Sequence, residues 1–312
     1  MPFNDMLEPV AGACEQIASV LLGKDEQIKL AVTCLIAKGH LLIEDLPGMG
    51  KTTLSHALAQ VLGLSYNRIQ FTSDLLPADI LGISIFNQAE SSFTFHPGPV
   101  FAQILLADEI NRSTPKTQSA LLEAMEEGQV TVDGESRPLP DPFFVIATQN
   151  PLSQAGTFHL PESQLDRFLM RISLGYPSSE AERALFLGED SRELLKRLKP
   201  SISLAQLKAI RAKIPEVQTS DALLDYLQRL VNHTRTASGF SYGLSPRGAL
   251  ALLRAAKTWA LLHKRRYVVP EDLQKMLLPV AAHRVKGAGE QGDHQGLSLI
   301  QSTLDAVEVL AG

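Results

Sequence analysis

The stretch Leu41-Leu42-Ile43-Glu44-Asp45-Leu46-Pro47-Gly48-Met49-Gly50-Lys51-Thr52-Thr53 constrains the fold of this chain more than any other feature. Leu41 to Ile43 is an apolar run that reads as a buried strand. A Pro/Gly-rich turn follows, and Lys51-Thr52-Thr53 opens a helical pattern that runs through Leu58. Strand, glycine-rich loop and helix in that order form a phosphate-binding loop. Gly48 and Gly50 let backbone N–H groups converge on phosphate oxygens with no Cβ in the way. The helix that follows points the positive end of its dipole at the same anion. Pro47, Gly48, Met49, Gly50, Lys51, Thr52 and Thr53 are therefore the candidate nucleotide-binding residues. Lys51 neutralises the β/γ-phosphates of a nucleotide such as ATP, and the Thr52 hydroxyl ligates Mg²⁺. One position departs from the strict pattern: six residues before the lysine, where glycine is usual, stands Asp45.

Strand and helix signals alternate through the first half of the chain. Leu7 to Leu22 and Lys24 to Lys38 read as helices separated by Gly23. Arg68 to Phe71, Phe101 to Ala107, Phe143 to Ala147 and Phe168 to Leu174 read as further strands, and Pro115 to Glu127 as a helix. Asp74 to Gly82 reads as a loop or short helix. Alternating residues at Ile83–Phe86 and Ser92–Phe95 predict one hairpin, and Gln129–Val132 and Ser136–Leu139 around Asp133-Gly134 predict a second. This alternation predicts an α/β fold, a mostly parallel sheet sandwiched by helices. From Glu180 onward only helical patterns occur: 180–199, 204–213, 220–237, 246–264, 270–282 and 295–310. A boundary near residue 178 is expected, dividing an α/β nucleotide-binding domain (1–177) from a smaller all-α domain (178–312). The stretch Lys286 to Gly296, with four glycines, reads as a mobile loop.

Ile104-Leu105-Leu106-Ala107-Asp108-Glu109 is an apolar strand that ends in paired carboxylates, and Asp108 lies 57 residues after Lys51. Asp108 is placed to hold Mg²⁺ through water, and Glu109 to polarise an attacking water as general base. Parallel strands of such sheets end on one ligand-binding edge. Asn150, which closes the next buried strand, is thus expected beside the γ-phosphate, where it would orient the water. Arg167 precedes a strand, and Arg247 sits in the first turn of a helix, where a cation opposes the dipole. Each reads either as a surface ion-pair partner or as the cation for an anionic ligand. Gln70 and Thr72, at the end of the second strand, are candidates to relay client state to Glu109. Arg112 is a partner either for a neighbouring subunit or for a local carboxylate.

These strings, with Gln-Phe-Thr-Ser-Asp-Leu-Leu-Pro-Ala-Asp-Ile-Leu-Gly (70–82), Phe-His-Pro-Gly-Pro-Val-Phe (95–101) and Leu-Pro-Glu-Ser-Gln-Leu-Asp-Arg-Phe (160–168), are collinear over nearly the whole chain and resemble the MoxR family of AAA+ ATPases. In that family Glu-Asp-x-Pro-Gly commonly stands where Asp45 departs from the strict pattern. The resemblance implies an AAA+ core with a helical lid, Mg²⁺-dependent ATP hydrolysis, and a homo-oligomeric ring, a hexamer. By the same resemblance Asn150 is sensor 1, Arg167 the arginine finger that reaches a neighbour's nucleotide, and Arg247 the sensor 2 arginine of the lid, a catalytic and nucleotide-contacting residue. Leu22-Gly23-Lys24 corresponds to the segment near adenine. The two hairpins correspond to the helix-2 insert and the pre-sensor 1 hairpin, which in related machines project toward the pore and touch the client. Partners of MoxR-like proteins typically carry a von Willebrand factor A domain, often in metal-cofactor insertion or complex maturation.

Charge separates this expectation from a nucleic-acid motor, the alternative that related AAA+ helicases suggest. The chain of 312 residues is 45% hydrophobic and 20% charged, with net charge −5. The first hairpin carries Glu90 and no basic residue, and the second has Arg137 as its only basic one. A pore that tracks nucleic acid needs Lys or Arg there. His263-Lys264-Arg265-Arg266 reads as the cationic end of a lid helix. A nucleotide-binding scaffold without hydrolysis is disfavoured, since Lys51, Asp108, Glu109, Asn150 and Arg167 are all present. Cys14 and Cys34 lack metal-ligand or CxxC spacing and read as buried thiols, and His40 and Trp259 as packing residues. No leader peptide and no membrane span is expected, which points to a cytoplasmic protein.

Overall fold

A computed structural model of the protein describes residues 3–89, 91–151, 156–188, 191–288 and 295–309. In the first part, strands β1 (Leu41–Glu44) and β2 (Tyr66–Gln70) are followed by a hairpin, β3 (Gly82–Asn87) and β4 (Ser92–Pro97). Then come β5 (Ile104–Asp108), a second hairpin, β6 (Gln129–Val132) and β7 (Glu135–Pro138), β8 (Phe144–Gln149) and β9 (Met170–Ile172). The helices here are α1 (Phe3–Val20), α2 (Asp25–Ile36), α3 (Lys51–Val61), the short α4 (Pro77–Leu81), α5 (Pro115–Glu127) and the short α6 (Glu162–Leu165).

The five sheet strands run in the order β2-β5-β8-β1-β9, and every pairing is parallel. Alternation along the strands splits their side chains between two cores. Leu41, Ile43, Ile104, Leu106, Phe144 and Ile146 join α1, α2 and α3 on one face. Leu42, Leu105, Ala107, Val145 and Ala147 pack with Leu121, Leu122 and Met125 of α5 on the other. Both faces are buried, so these strands read as continuous apolar runs.

Two strands start later or end sooner than their apolar runs suggest. Pro99–Phe101 forms a 3-10 turn, so β5 begins at Ile104. Gly98 passes so close to Ile80 that a Cβ there would lie 2.2 Å from the Ile80 carbonyl oxygen. β9 is confined to Met170–Ile172 because Phe168 N closes a turn on Leu165 O and Ser173 to Gly175 turn aside toward Asp45.

After residue 178 come α7 (Ser179–Leu187), α8 (Ser191–Arg197), α9 (Leu204–Lys213), α10 (Asp221–Thr236), α11 (Pro246–Leu262), α12 (Pro270–Ala281) and α13 (Gln295–Ala306). The helix expected over 180–199 is two helices, with Gly188 as the extended C-cap of the first. This part is also not purely helical: β10 (Phe240–Tyr242) pairs antiparallel with β11 (Lys286–Gly287). The loop expected at 286–296 therefore begins as a strand and ends inside α13, and its residues 289–294 lie outside the described residues, as does Leu310 at the end of the last expected helix. The hydrophobic core continues across residue 178, since Leu207, Ile210, Leu252, Ala256 and Trp259 share one cluster with Ile28, Leu35 and Ile17.

His40, just before β1, is largely buried between Phe143 and Phe144, with part of its surface on a cleft. Its Nδ1 accepts from Val145 N at 3.0 Å, so Nε2 carries the hydrogen and donates to Met125 O at 3.2 Å. Burial pushes its pKa from 6.5 down to about 4. Between these two values the unfolded chain binds the proton and the folded one does not, so stability falls as pH drops from 6.5 toward 4. His40 alone should remove on the order of 2 kcal/mol between pH 7 and pH 5. His283, also pushed down by burial, adds in the same sense. Urea midpoints at the two pH values measure the loss, and His40→Gln should flatten the dependence. An unchanged slope in that variant would exclude His40 as a source.

Cys34 is a buried thiol as expected, whereas Cys14 is only partly buried; burial raises both pKa values, that of Cys14 to about 11. Trp259 is buried and packs against His263, with ring centroids 4.5 Å apart. In the basic cluster after α11, Arg265 grips Asp272 through two contacts and Lys264 lies 3.8 Å from Glu8. No described helix is long and apolar enough to cross a membrane.

Candidate active site

The phosphate loop leaves β1, the strand between β8 and β9, and enters α3. Gly48 (φ +84°) and Gly50 (φ +91°) both adopt backbone that L side chains avoid. A Cβ on Gly50 would also lie 2.6 Å from Leu21 Cδ1, so this glycine seats the loop against the end of α1. Open space surrounds Gly48, and there the requirement is conformational alone. Lys51 Nζ donates to Asp45 O at 2.6 Å and to Leu46 O at 3.1 Å. Burial pulls its pKa below the usual lysine range, while Asp45, Asp108 and Glu109 pull the other way. Thr52 is exposed in the first turn of α3.

Asp45 has a definite task. Its Oδ2 accepts from Leu174 N (2.6 Å), Gly175 N (2.7 Å) and Ser173 Oγ (3.2 Å), and its Oδ1 from Leu46 N (3.0 Å). The carboxylate ties the phosphate loop to the chain leaving β9, a tie that glycine could not make. Lys24 Nζ caps the same segment, donating to Gly175 O and Tyr176 O. Gly23 (φ +69°) lies against α7, where a Cβ would come 2.9 Å from Ala181 Cβ. Residues 22–24 thus wall the space beside the phosphate loop, where the nucleotide base is expected.

At the end of β5, two strands from β1, Asp108 Oδ1 accepts from Thr148 Oγ1 (2.6 Å) and Oδ2 from Arg68 Nη2 (2.7 Å). Glu109 adopts left-handed backbone (φ +55°, ψ +50°), a strained conformation for a non-glycine residue. Its N–H donates to Thr148 Oγ1, while its Oε2 accepts from Gln70 Nε2 (3.1 Å) and Arg112 Nη1 (2.8 Å). Arg112 pairs locally, and Gln70 reaches Glu109 directly. Asn150 follows β8, the strand between β1 and β5. Lys51, Thr52, Asp108, Glu109 and Asn150 thereby share one edge of the sheet. Helix N-terminus, glycine-bearing loop, lysine, hydroxyl and strand-end carboxylate suit a nucleotide phosphate with Mg²⁺, which binds through one or two protein oxygens plus phosphate and water. No cluster of three or more His, Cys, Asp or Glu suited to a metal occurs among the described residues.

Arg167 and Arg247 stand elsewhere. Arg167 Nε lies 2.9 Å from Glu126 Oε2, and Arg247 Nη1 lies 3.0 Å from Glu126 Oε1. Both line a cleft of about 580 Å³ with Lys38, His40, Asp166, Leu169, Arg254 and Arg284. His40 and Leu169 precede β1 and β9, whereas the phosphate loop follows β1. The four residues of β1, at about 3.3 Å each, separate the two edges by roughly 13 Å. The single chain therefore does not bring Arg247, expected at the nucleotide, to its own phosphate loop. It gathers Arg247 with Arg167 at the opposite edge.

Sequence reasoning missed Arg68, Thr148, Glu126, Asp166, Arg254 and Arg284. Arg254 alone left a local signal: seven residues after Arg247, it falls on the same face of α11.

Two family descriptions match the chain: "ATPase family associated with various cellular activities (AAA)" over residues 40–170, and "AAA lid domain" over residues 232–302. Chaperone MoxR1 of Mycobacterium tuberculosis (strain ATCC 25618 / H37Rv) is 40% identical over 288 residues, covering 86% of this chain and 74% of that protein. The chain belongs to the MoxR family of AAA+ ATPases. Protein MoxR of Paracoccus denitrificans is 31% identical, with 85% of each chain covered. The uncharacterized protein YeaC of Bacillus subtilis (strain 168) is 46% identical over 91% of this chain and 89% of its own. A crystal structure from Cytophaga hutchinsonii ATCC 33406 matches with a TM-score of 0.89 at 36% identity, covering 98% of this chain and 96% of that one. The parallel sheet flanked by helices and the helical lid are the fold of this family.

Proposed function

We propose that this MoxR-family protein hydrolyses Mg²⁺·ATP at sites shared between neighbouring subunits of a homo-oligomeric ring, a hexamer, and uses the cycle to remodel a partner protein. One observation carries the reading: the phosphate loop, Asp108, Glu109 and Asn150 occupy one edge of the sheet, and Arg167 and Arg247 the other. A complete catalytic set then requires the arginine edge of one subunit against the phosphate edge of the next. Such a contact is heterologous, the type that forms a ring where the rotation between subunits closes.

In this mechanism the backbone N–H groups of residues 48–51 and Lys51 hold the β/γ-phosphates, and Thr52 and Asp108 hold the metal. Mg²⁺ held there would supply positive charge to offset the charge that develops on the phosphoryl group. Glu109 leaves Gln70 and Arg112 to polarise the water that Asn150 orients. Arg167 and Arg247 leave Glu126 to meet the neighbour's transferring phosphoryl group. Gln70, at the end of β2, makes Glu109 sensitive to the β3–β4 hairpin downstream. Residues 178–312 serve as the lid, which carries Arg247.

The partner is a protein. The β3–β4 hairpin exposes Ile83, Ile85, Phe86 and Phe93, and Arg137 of the second hairpin lies over the Phe95 ring and pairs with Glu135. Glu90 lies outside the described residues. Apolar tips with the one arginine engaged suit a polypeptide better than a phosphate backbone. The names of the MoxR relatives, one of them a chaperone, support the same class. We assign a von Willebrand factor A domain protein as the client, in metal-cofactor insertion or complex maturation, in the cytoplasm. The Glu109→Gln variant, loaded with Mg²⁺·ATP and used to capture partners from lysate of the source cells, tests this. Recovery of a von Willebrand factor A protein is expected. Nuclease-sensitive nucleic acid in its place would overturn the client reading in favour of a nucleic-acid motor.

A further inference from the structure

The cleft that holds Arg167 and Arg247 contains an alternating chain of charges that crosses between the lid and the α/β part. Glu126 accepts from both Arg167 and Arg247. Asp166 Oδ2 lies 3.6 Å from Arg247 Nε, and Asp166 Oδ1 accepts from Arg284 Nε at 2.6 Å. The order is Arg167, Glu126, Arg247, Asp166, Arg284. Exposure peaks at Arg247, whose side chain is 56% exposed, and falls from there through Asp166 to 4% at Arg284.

Arg284 comes from the turn after α12, yet most of its bonds go to the segment that carries Arg167. Nη2 donates to Asp166 O (3.0 Å) and Phe168 O (2.6 Å), and Nη1 to Leu169 O (3.1 Å) and to Val280 O. The guanidinium thus holds the backbone on both sides of Arg167 and the carboxylate beside Arg247. A planar fork of five N–H donors does this from one fixed position, which an ammonium on a flexible stem does not reproduce. Burying a charge at such depth is costly unless every donor is matched. Simple packing of α12 on the sheet would be served as well by an apolar residue.

We propose that Arg284 is the positioning residue through which the lid sets Arg167 and Arg247 for the neighbouring subunit's nucleotide. It touches no nucleotide itself. A shift of α12 relative to the sheet moves the Arg167 backbone and the Asp166 anchor of Arg247 together, so both arginines engage or withdraw as a unit. The inference rests on the composite site proposed above.

Arg284→Lys tests it, because this variant keeps the charge and loses the fork. The chain's own phosphate loop lies at the other edge, so the KM for ATP should stay within about two-fold while kcat falls roughly 10- to 100-fold, the cost of misplacing a group by about 1 Å. Mixing Arg284→Lys with Glu109→Gln subunits should restore turnover. Random assembly pairs a sound phosphate edge with a sound arginine edge at about a quarter of the interfaces. A kcat near wild type would overturn the proposal. So would a loss that mixing does not recover, which would mean a damaged fold rather than a misplaced arginine pair. Arg167→Ala mixed with Glu109→Gln runs alongside: if that pair also fails to recover, the composite site itself falls and takes the Arg284 proposal with it. If Arg284→Lys subunits do not enter rings, Asp166→Asn decides. It breaks the same link at a carboxylate less deeply buried than Arg284, and unchanged kinetics in it would overturn the role.

Discussion

Replacing Lys51 with alanine is expected to weaken ATP binding by at least about 100-fold, because charge-assisted hydrogen bonds contribute roughly 1.5–3 kcal/mol each and Lys51 serves more than one phosphate oxygen. The ammonium now rests on the carbonyls of Asp45 and Leu46, which point into the loop that would receive the phosphates. Lys51 is itself partly exposed, so water reaches those carbonyls in the variant and the cost to folding is small beside the cost to binding. Asp45 keeps its ties to Leu174 and Gly175 in the absence of the lysine. Calorimetric titration with Mg²⁺·ATP separates the two effects. Binding at wild-type strength in a folded Lys51→Ala protein would remove the phosphate-loop assignment.

Replacing Arg167 with alanine should lower turnover by roughly 10³- to 10⁵-fold, the range for an arginine that meets the transferring phosphoryl group. The distance between the sheet's two edges predicts that the variant's own ATP affinity is unaffected. Loss of Arg167 also leaves Glu126 to Arg247 alone. The second arginine is then held back more firmly, which adds to the loss. Steady-state kinetics with the same ATP titration checks it. A parallel rise in KM for Arg167→Ala would place Arg167 at its own chain's nucleotide and contradict the separation.

Much of the fold was legible because its signals are local. Helix α5 begins at Pro115 after the Thr114 cap and ends at Gly128 in left-handed backbone, and its expected limits match. Both hairpins follow alternation around short polar turns. Helix α9 is also where its pattern placed it, between a Ser203–Gln206 capping box and the turn at Ile214. The break between α7 and α8 was missed because helix-forming residues lie on both sides, and Gly188 was the one cue. β10 and β11 have three and two residues, too few for a period to register.

The site divides the same way. The phosphate loop and the Asp108-Glu109 pair announce themselves because their residues are contiguous. Asp45 looked like a departure because its partners lie 129 and 130 residues downstream and are backbone N–H groups, which carry no sequence signature. Arg284 joins Asp166 across 118 residues for the same reason. Nothing local tells a buried bracket from a surface arginine. The resemblance suggested what Arg167 and Arg247 do, and the three-dimensional arrangement adds that they stand together, away from their own nucleotide site.

The most direct test of the composite site is the ATPase rate of rings assembled from equal amounts of Arg167→Ala and Glu109→Gln subunits. Each parent is expected to be nearly inactive. Catalysis across subunits predicts that mixing recovers up to about a quarter of wild-type turnover, from interfaces that pair an intact Glu109 edge with an intact Arg167 edge. No recovery in rings verified to contain both subunits would contradict the account.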